Sequence, residues 1–135
     1  FNINVSKPTN SLLPTSELLQ SGLKELCQLV RQVEVNVTTI DEYCRSQGLR
    51  PVDIVKLDLQ GYDHLALLGA KATLNEVRIV LVEVFFTEIY QGCGLFPDIL
   101  RLMKEFGFDL YTLCGLQYGE KSELLWADAI FLKNE

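Results

Sequence analysis

The sequence predicts an α/β fold built on a mainly parallel sheet, and three observations support this prediction. Two nearly continuous apolar runs, 52–59 and 79–86, have the length and composition of strands that are covered on both faces. Segments with helical spacing of apolar residues follow each run, and this alternation of strand and helix is typical of parallel sheets. A short polar loop joins the last two predicted strands, 110–114 and 124–132, so we expect an antiparallel hairpin at the sheet edge.

The N-terminal third predicts a strand, a helix and a second strand. Apolar and polar residues alternate over 1–6, which predicts a strand whose buried face carries Phe1, Ile3 and Val5. Ser16 can cap a following helix of about four turns, whose apolar side chains recur at Leu19, Leu23, Leu26 and Val30. A second alternation over 33–38 predicts another half-buried strand.

The rest of the chain contains residues that are typical of helix starts and helix ends. Thr39 and Glu42 match a capping box that begins a short helix, and Gly48 ends it. Gly61 breaks the strand at 52–59, and the helix that follows places Leu65 and Leu68 on one face. A later helix begins near Pro97 and ends at Gly107. Its inward side chains are predicted to be Ile99, Leu100, Met103 and Phe106.

Composition limits the classes of protein to which the chain can belong. Its 135 residues suit one domain, and a net charge of -6 argues against nucleic-acid binding. The sequence contains no apolar run of the roughly 20 residues that a membrane span needs, and no secretory signal, so we expect a soluble, cytoplasmic protein without membrane contact. The four cysteines are far apart and flanked by apolar residues, which predicts buried free thiols and no zinc site.

Two acidic residues within the apolar runs are the first candidates for function. A carboxylate in an apolar strand is costly to bury unless it is paired, so Asp58 must lie at the strand end, meet Lys56 or backbone donors, or contact a ligand. Glu83 poses the same question in the next apolar run. Other motifs are weaker: the sequence has neither a dinucleotide fingerprint nor a serine elbow, and the lone His64 fits a solvated helix surface.

A series of sequence blocks resembles the FkbM-type methyltransferases. The most specific block is Lys-x-Asp-x-Gln-Gly at 56–61, which is followed by Leu-x-Gly-Ala at 67–70. Further blocks occur in the family's order, and the resemblance covers about residues 10–133. These further blocks are 37–43, 82–84, Tyr90, 107–108 and 126–131.

The resemblance implies a Rossmann-like fold and an enzyme that transfers a methyl group from S-adenosylmethionine to a hydroxyl of a sugar or small natural product. It places Asp58 beside the methyl-transfer site as the catalytic residue, where it would orient or deprotonate the acceptor. Implied cofactor contacts are Asp41, Asp58, Gln60 and Gly61. Implied supporting residues are Lys56, Tyr62, Asp63, Glu83 and Tyr90. Gln60 and Asp63 stand at positions where glutamate is frequent in the family. The place of Asp41 in the capping box can account for that residue without a cofactor contact. A metal site that uses Asp58, Asp63 and Glu83 is a weak alternative.

The family's glycine-rich cofactor loop and its ribose-binding acidic residue would both precede Phe1. We therefore expect residues 1–135 to form a single partial methyltransferase domain, its C-terminal half, with the 52–59 strand as the fourth of seven. The other edge of that strand would then be unpaired, which favours a homodimer or a covering by the N-terminal elements. The alternative function is a non-catalytic α/β domain that serves as a binding or dimerisation module.

Overall fold

The computed structural model describes residues 1–17, 19 and 21–134. These residues form a small N-terminal sheet, a four-stranded C-terminal sheet and the helices that connect their strands. In chain order the strands and α-helices are β1 (Asn2–Asn4), α1 (Ser21–Leu26), β2 (Leu29–Gln32), α2 (Ile40–Gln47), β3 (Ile54–Leu57), α3 (Asp63–Leu68), α4 (Lys71–Leu74), β4 (Ile79–Phe85), α5 (Phe96–Glu105), β5 (Phe108–Tyr118) and β6 (Leu124–Lys133).

The C-terminal sheet confirms an α/β fold but corrects its predicted pairing. Its strand order is β3-β4-β6-β5. β3 and β4 are parallel, whereas β6 lies antiparallel to both β4 and β5. The predicted antiparallel pairing of the last two strands is therefore confirmed. The predicted parallel arrangement is only partly confirmed in the described residues, because β6 inserts between β4 and β5 and makes both of its pairings antiparallel.

One face of this sheet is closed by helices, and the other is partly open. Val80, Val82 and Val84 are fully buried in one cluster with apolar side chains of α3, α4 and α5. On the opposite face, the side chain of Ile54 is 57% exposed. The prediction that both apolar strands are covered on two faces is thus wrong for β3, because these helices pack against a single face.

The N-terminal strand buries the face opposite to the predicted one. Asn2 and Asn4 are 6% and 5% exposed, whereas Phe1 and Val5 lie at the surface. The Asn2 side-chain amide donates to the carbonyl oxygen of Leu13 at 2.9 Å, and that of Asn4 donates to Thr9 at 2.6 Å. Amide groups can be buried here because the loop after β1 supplies these acceptors.

The predicted four-turn helix is replaced by a shorter helix and a strand. α1 spans six residues, and the segment around Val30 instead forms β2, which pairs antiparallel with β1. Leu18 and Gln20 of the predicted helix lie outside the described residues. Ser16, the predicted cap, instead donates its backbone N–H to Ile89. The strand predicted over 33–38 does not form, because β2, which precedes this segment, makes the pairing with β1.

Several local predictions are confirmed. The Glu42 N–H donates to the Thr39 hydroxyl at the start of α2, and Gly48 ends that helix with φ +63°. α5 begins beside Pro97 and buries Ile99 and Met103. The four cysteines are free thiols, but Cys114 is exposed and corrects the prediction that all are buried. Among the described residues, no helix has the length and apolar character needed to cross a bilayer.

Candidate active site

Three acidic side chains lie next to one another across three adjacent strands of the C-terminal sheet. Leu57 and Val82 are the last partners of the parallel pair, so Asp58 follows beside Glu83. Glu83 in turn lies directly opposite Asp128 of β6. This acidic row, Asp58, Glu83 and Asp128, lies at the carboxyl ends of β3 and β4, the end of parallel strands where ligands bind in open α/β sheets.

The turn after β3 is fixed by its own carboxylate. Asp63 is 2% exposed, and its two oxygens accept hydrogen bonds from the backbone N–H groups of Leu59 and Gly61, each at 3.2 Å. Gly61 has φ +90°, and a Cβ there would lie 3.0 Å from the Cβ of Cys93. Burial raises the pKa of Asp63 to about 6, although these hydrogen bonds oppose the shift. Asp63 therefore supports the site through backbone geometry.

Gln60 connects the acidic row to Tyr90. Its side-chain NH₂ donates to Asp58 at 2.9 Å and to Glu83 at 3.0 Å, and its carbonyl oxygen accepts from the Tyr90 hydroxyl at 2.8 Å. The backbone carbonyl of Gln60 accepts from the Ser11 hydroxyl at 2.6 Å. The structure thus brings together four of the predicted site residues, Asp58, Gln60, Glu83 and Tyr90, in one hydrogen-bonded network.

Lys56 and Asp58 form an exposed ion pair beside this network. Their charged atoms are 3.4 Å apart, and their side chains are 61% and 51% exposed. An ion pair so accessible to water contributes little to stability. The Asp58 carboxylate is therefore anchored at one oxygen by Gln60, while its other oxygen, beside the exposed Lys56, remains accessible to a ligand.

Glu83 lies in a more buried environment than Asp58. Burial raises the pKa of its carboxyl from the ordinary 4.5 to about 8, and the negative charges of Asp58, Asp63 and Asp128 add to that shift, while Lys56 opposes it. Glu83 therefore carries a proton at neutral pH. Burial also raises the pKa of the Tyr90 hydroxyl, so that group acts as a hydrogen-bond donor.

Asp41 lies outside the network. Its carboxylate accepts hydrogen bonds from the backbone N–H groups of Ala72 and Thr73 and from the Thr73 hydroxyl, which joins α2 to α4. Burial acts to raise the pKa of Asp41, but these hydrogen bonds and the charge of Arg50 lower it overall. This role at the start of α4 differs from the capping box of α2, which Thr39 and Glu42 form, and the contact of Asp41 with a cofactor stays a prediction.

Tyr62 lies on a different surface, an apolar groove beside β3. The groove has a volume of about 930 Å³. Its walls come from the segment before α2, from the end of β3 and from α3, and they include both Leu65 and Leu68. The shared face predicted for these two leucines therefore borders the groove and not the core.

The structure also adds residues that the sequence prediction did not assign. Asp128 belongs to a sequence block that matched the family, but only the register of β6 places it opposite Glu83. Ser11 has no local signal, since it contacts Gln60 across 49 positions of the chain. Phe85 and Trp126 line a cavity of about 160 Å³ behind Gln60, Glu83 and Tyr90. In the described part of the chain, no group of three or more His, Cys, Asp or Glu side chains is arranged to hold a metal ion.

Comparisons with known proteins identify the family of the chain. The model of the methyltransferase FkbM domain matches residues 4–110. The chain is also 30% identical over 74 residues to the 2-O-methyltransferase NoeI of Sinorhizobium fredii. That match covers 55% of this chain and 30% of the relative, so the chain spans less than a third of that protein's length. No solved structure matches the chain. The family match covers most of the sequence and confirms the resemblance, and the chain belongs to the FkbM methyltransferase family.

Proposed function

We propose that the protein is an S-adenosylmethionine-dependent O-methyltransferase that acts on a hydroxyl of a sugar or small natural product. Membership of the family supports methyl transfer, and the relative's name, 2-O-methyltransferase, supports oxygen as the acceptor atom. The observation that carries the proposal is the accessible Asp58 carboxylate at the carboxyl end of β3, held in place by Gln60.

The chemistry requires a group that manages one proton. Methylation of a hydroxyl would form an O–CH₃ bond and break both the O–H bond and the S–CH₃ bond of the donor, so that a neutral thioether leaves and one proton is released. Asp58 would accept a hydrogen bond from the acceptor hydroxyl and take up that proton, which requires direct contact between the two groups. Glu83 would not serve as this base at neutral pH, because it already holds a proton. Asp58 and Glu83 therefore have different roles, because Glu83 is the more buried of the two carboxyl groups.

The donor would supply an electrophilic methyl group on a positively charged sulfur. The residues present fit such a molecule in two respects. The apolar groove beside β3 offers walls for a ring system, with Leu59 and Tyr62 near its end. The Asp58 carboxylate, which directly precedes Leu59 in the sequence, offers a negative charge. We assign Asp58, Leu59 and Tyr62 as the residues of this chain that would hold the donor. Gln60 and Gly61 would act by shaping the turn.

The strand arrangement supports a Rossmann-like methyltransferase sheet. A late strand lies antiparallel between its neighbours in the order β3-β4-β6-β5, as the resemblance implies for the end of a seven-stranded sheet. We propose that β3 is the fourth strand of that sheet and that the chain is the C-terminal half of the domain.

Binding and transfer can be tested separately in the full-length protein. Calorimetric titration with S-adenosylmethionine should give saturable binding at one site. Incubation with methyl-labelled donor and a panel of free sugars, glycosides and polyols should then transfer label to an oxygen of one class. Absence of donor binding would contradict the proposal, and so would transfer of the label only to nitrogen or carbon.

A second candidate function is dimerisation through the free edge of β3. In the described residues β3 pairs with a strand on one side only, and its Ile54 is 57% exposed. An open apolar edge is prone to pair with another chain. Sedimentation should show a dimer of the 135-residue chain that Ile54→Lys converts to a monomer. The matched change at the other edge, Tyr111→Lys in β5, should leave the dimer intact. A monomeric wild-type chain would contradict this candidate.

A further inference from the structure

The side chain of Gln60 has every hydrogen-bonding group engaged. Both hydrogens of its NH₂ point at carboxyl groups, with Asp58 at 2.9 Å and Glu83 at 3.0 Å. Its carbonyl oxygen accepts from Tyr90 at 2.8 Å. A carboxylate can only accept a hydrogen bond, so the Asp58 side must face the NH₂ group. The opposite orientation of the amide would place its oxygen against the Asp58 carboxylate, which is repulsive.

Tyr90 fixes that orientation from the other side. Its side chain is 1% exposed, so water cannot replace the amide oxygen of Gln60 as the acceptor of the hydroxyl hydrogen. The carbonyl oxygen of Thr9 is a second acceptor at 3.3 Å, but a hydroxyl has a single hydrogen and donates at the shorter distance, to Gln60. The deprotonated form is further disfavoured by burial, so Tyr90 is a constant donor.

The backbone of Gln60 is held as firmly as its side chain. The residue has φ +50°, a conformation that costs energy in any residue with a Cβ and persists only where the surroundings enforce it. Here the fully buried Ser11 hydroxyl donates to its carbonyl oxygen at 2.6 Å. The following Gly61 N–H is bound by Asp63. A strained residue that is anchored at both its backbone and its side chain is expected at functional sites.

We propose that Gln60 is a positioning residue that holds the Asp58 carboxylate in place by bridging it to Glu83, with Tyr90 setting the orientation of the bridge. This inference rests on the proposed function, because it assigns Gln60 a task in the same site. It also differs from a contact with the cofactor, since the amide has no free hydrogen for one. The bridge engages one oxygen of Asp58, and the other oxygen, beside the exposed Lys56, stays accessible to the acceptor.

The charges around Glu83 explain why an amide suits this bridge. The groups that face Glu83 are Asp58 after β3, Asp63 on α3, Asp128 on β6 and Lys56 on β3. Three of these four are acidic, so a further carboxylate at position 60 would add repulsion to both of its partners, Asp58 and Glu83. A neutral NH₂ group instead donates to two acids at once and lowers the cost of placing them side by side.

The test measures Glu83 directly and does not depend on knowing the acceptor. In the full-length protein with ¹³C-labelled glutamate, the carboxyl resonance of Glu83 is titrated by NMR and assigned with Glu83→Gln. Gln60→Met keeps the length of the side chain but removes the donor, so it should raise the pKa of Glu83 by about one, a tenfold change in proton affinity. Tyr90→Phe should raise it by about half as much, since the amide is retained but no longer oriented.

Gln47→Met is the matched control, because Gln47 is exposed at the end of α2, which contributes no residue to the acidic row. It should leave the titration of Glu83 unchanged. In the methyl-transfer assay, Gln60→Met should lower kcat about tenfold with little change in KM, as expected for a positioning group. A Glu83 titration that neither variant moves would overturn the positioning role even in an active enzyme. If the titrations shift as expected but no methyl transfer occurs, the proposed function is contradicted, whereas the bridging role of Gln60 between Asp58 and Glu83 is supported.

Discussion

The two faces of the C-terminal sheet differ in what covers them. On one face the side chains of Val80, Val82 and Val84 are sealed against three helices. On the other, alternate positions of the same strand carry Leu81 and Glu83, which are only partly buried. The closed face supplies the apolar burial that stabilises the domain, whereas the open face carries the acidic row. Because side chains alternate along β4, one face of this strand contributes to stability and the other contributes to the site.

The turn after β3 shows how the open face keeps its geometry without a sealed core. Asp63 binds two backbone N–H groups, Ser11 binds the carbonyl of Gln60, and Gly61 allows close approach to Cys93. Polar anchoring replaces apolar packing here. We therefore expect changes in the turn to affect stability as strongly as changes in the core.

Gly61→Ala should have the largest effect, a loss of about 3 kcal/mol in the free energy of unfolding, because positive φ and crowding against Cys93 act together. Gly92→Ala is the matched control: it has φ +71° with nothing within 4 Å, so backbone strain alone should cost about 1 kcal/mol. Urea unfolding of both variants measures the difference. Equal losses would show that close approach at Gly61 is unimportant.

The two faces can be compared with adjacent substitutions in β4. Val82→Ala removes fully buried methyl groups from the closed face and should cost about 2 kcal/mol. Leu81→Ala removes a larger group from the open face but should cost about 1 kcal/mol, since that side chain is only partly buried. Chemical denaturation again gives both values. A greater loss for Leu81→Ala would mean that the open face is covered in solution.

The acidic row predicts an effect that depends on pH and is smaller within any one pH unit. The folded state holds the Glu83 proton more tightly than the unfolded chain, so the stabilisation is complete below pH 4.5 and is lost as the pH rises toward 8. Over this window the wild type should lose stability relative to Glu83→Gln, by at most about 1.4 kcal/mol per pH unit. Unfolding curves of both proteins at pH 5, 6, 7 and 8 test this. A constant difference would contradict a protonated Glu83.

Local signals in the sequence predicted the elements that depend on neighbouring residues. The Thr39 cap, the β4 strand, the α5 helix and the β5–β6 hairpin all follow from spacing within a few residues. The sequence also identified Asp58 and Glu83, because acidic residues in apolar strands are costly.

Contacts between distant parts of the chain could not be predicted in this way. Asn2 and Asn4 take the buried face of β1 only because a later loop supplies their acceptors. The bridge at Gln60 depends on Ser11 and Tyr90, which are 49 and 30 positions away. The apolar composition of β3 predicts two covered faces, and this is wrong because composition alone does not distinguish a central strand from one that borders a groove.

The role of Asp58 in methyl transfer is tested most directly by Asp58→Asn in the full-length protein. Asparagine keeps the shape and can still accept from Gln60, but it cannot take up a proton. Asp109→Asn is a suitable control, because Asp109 is likewise a half-exposed aspartate paired with a lysine, Lys104. We expect Asp58→Asn to lower kcat at least a hundredfold with little change in donor affinity, and the control to match wild type. Unchanged turnover with unchanged donor affinity in Asp58→Asn would contradict the account.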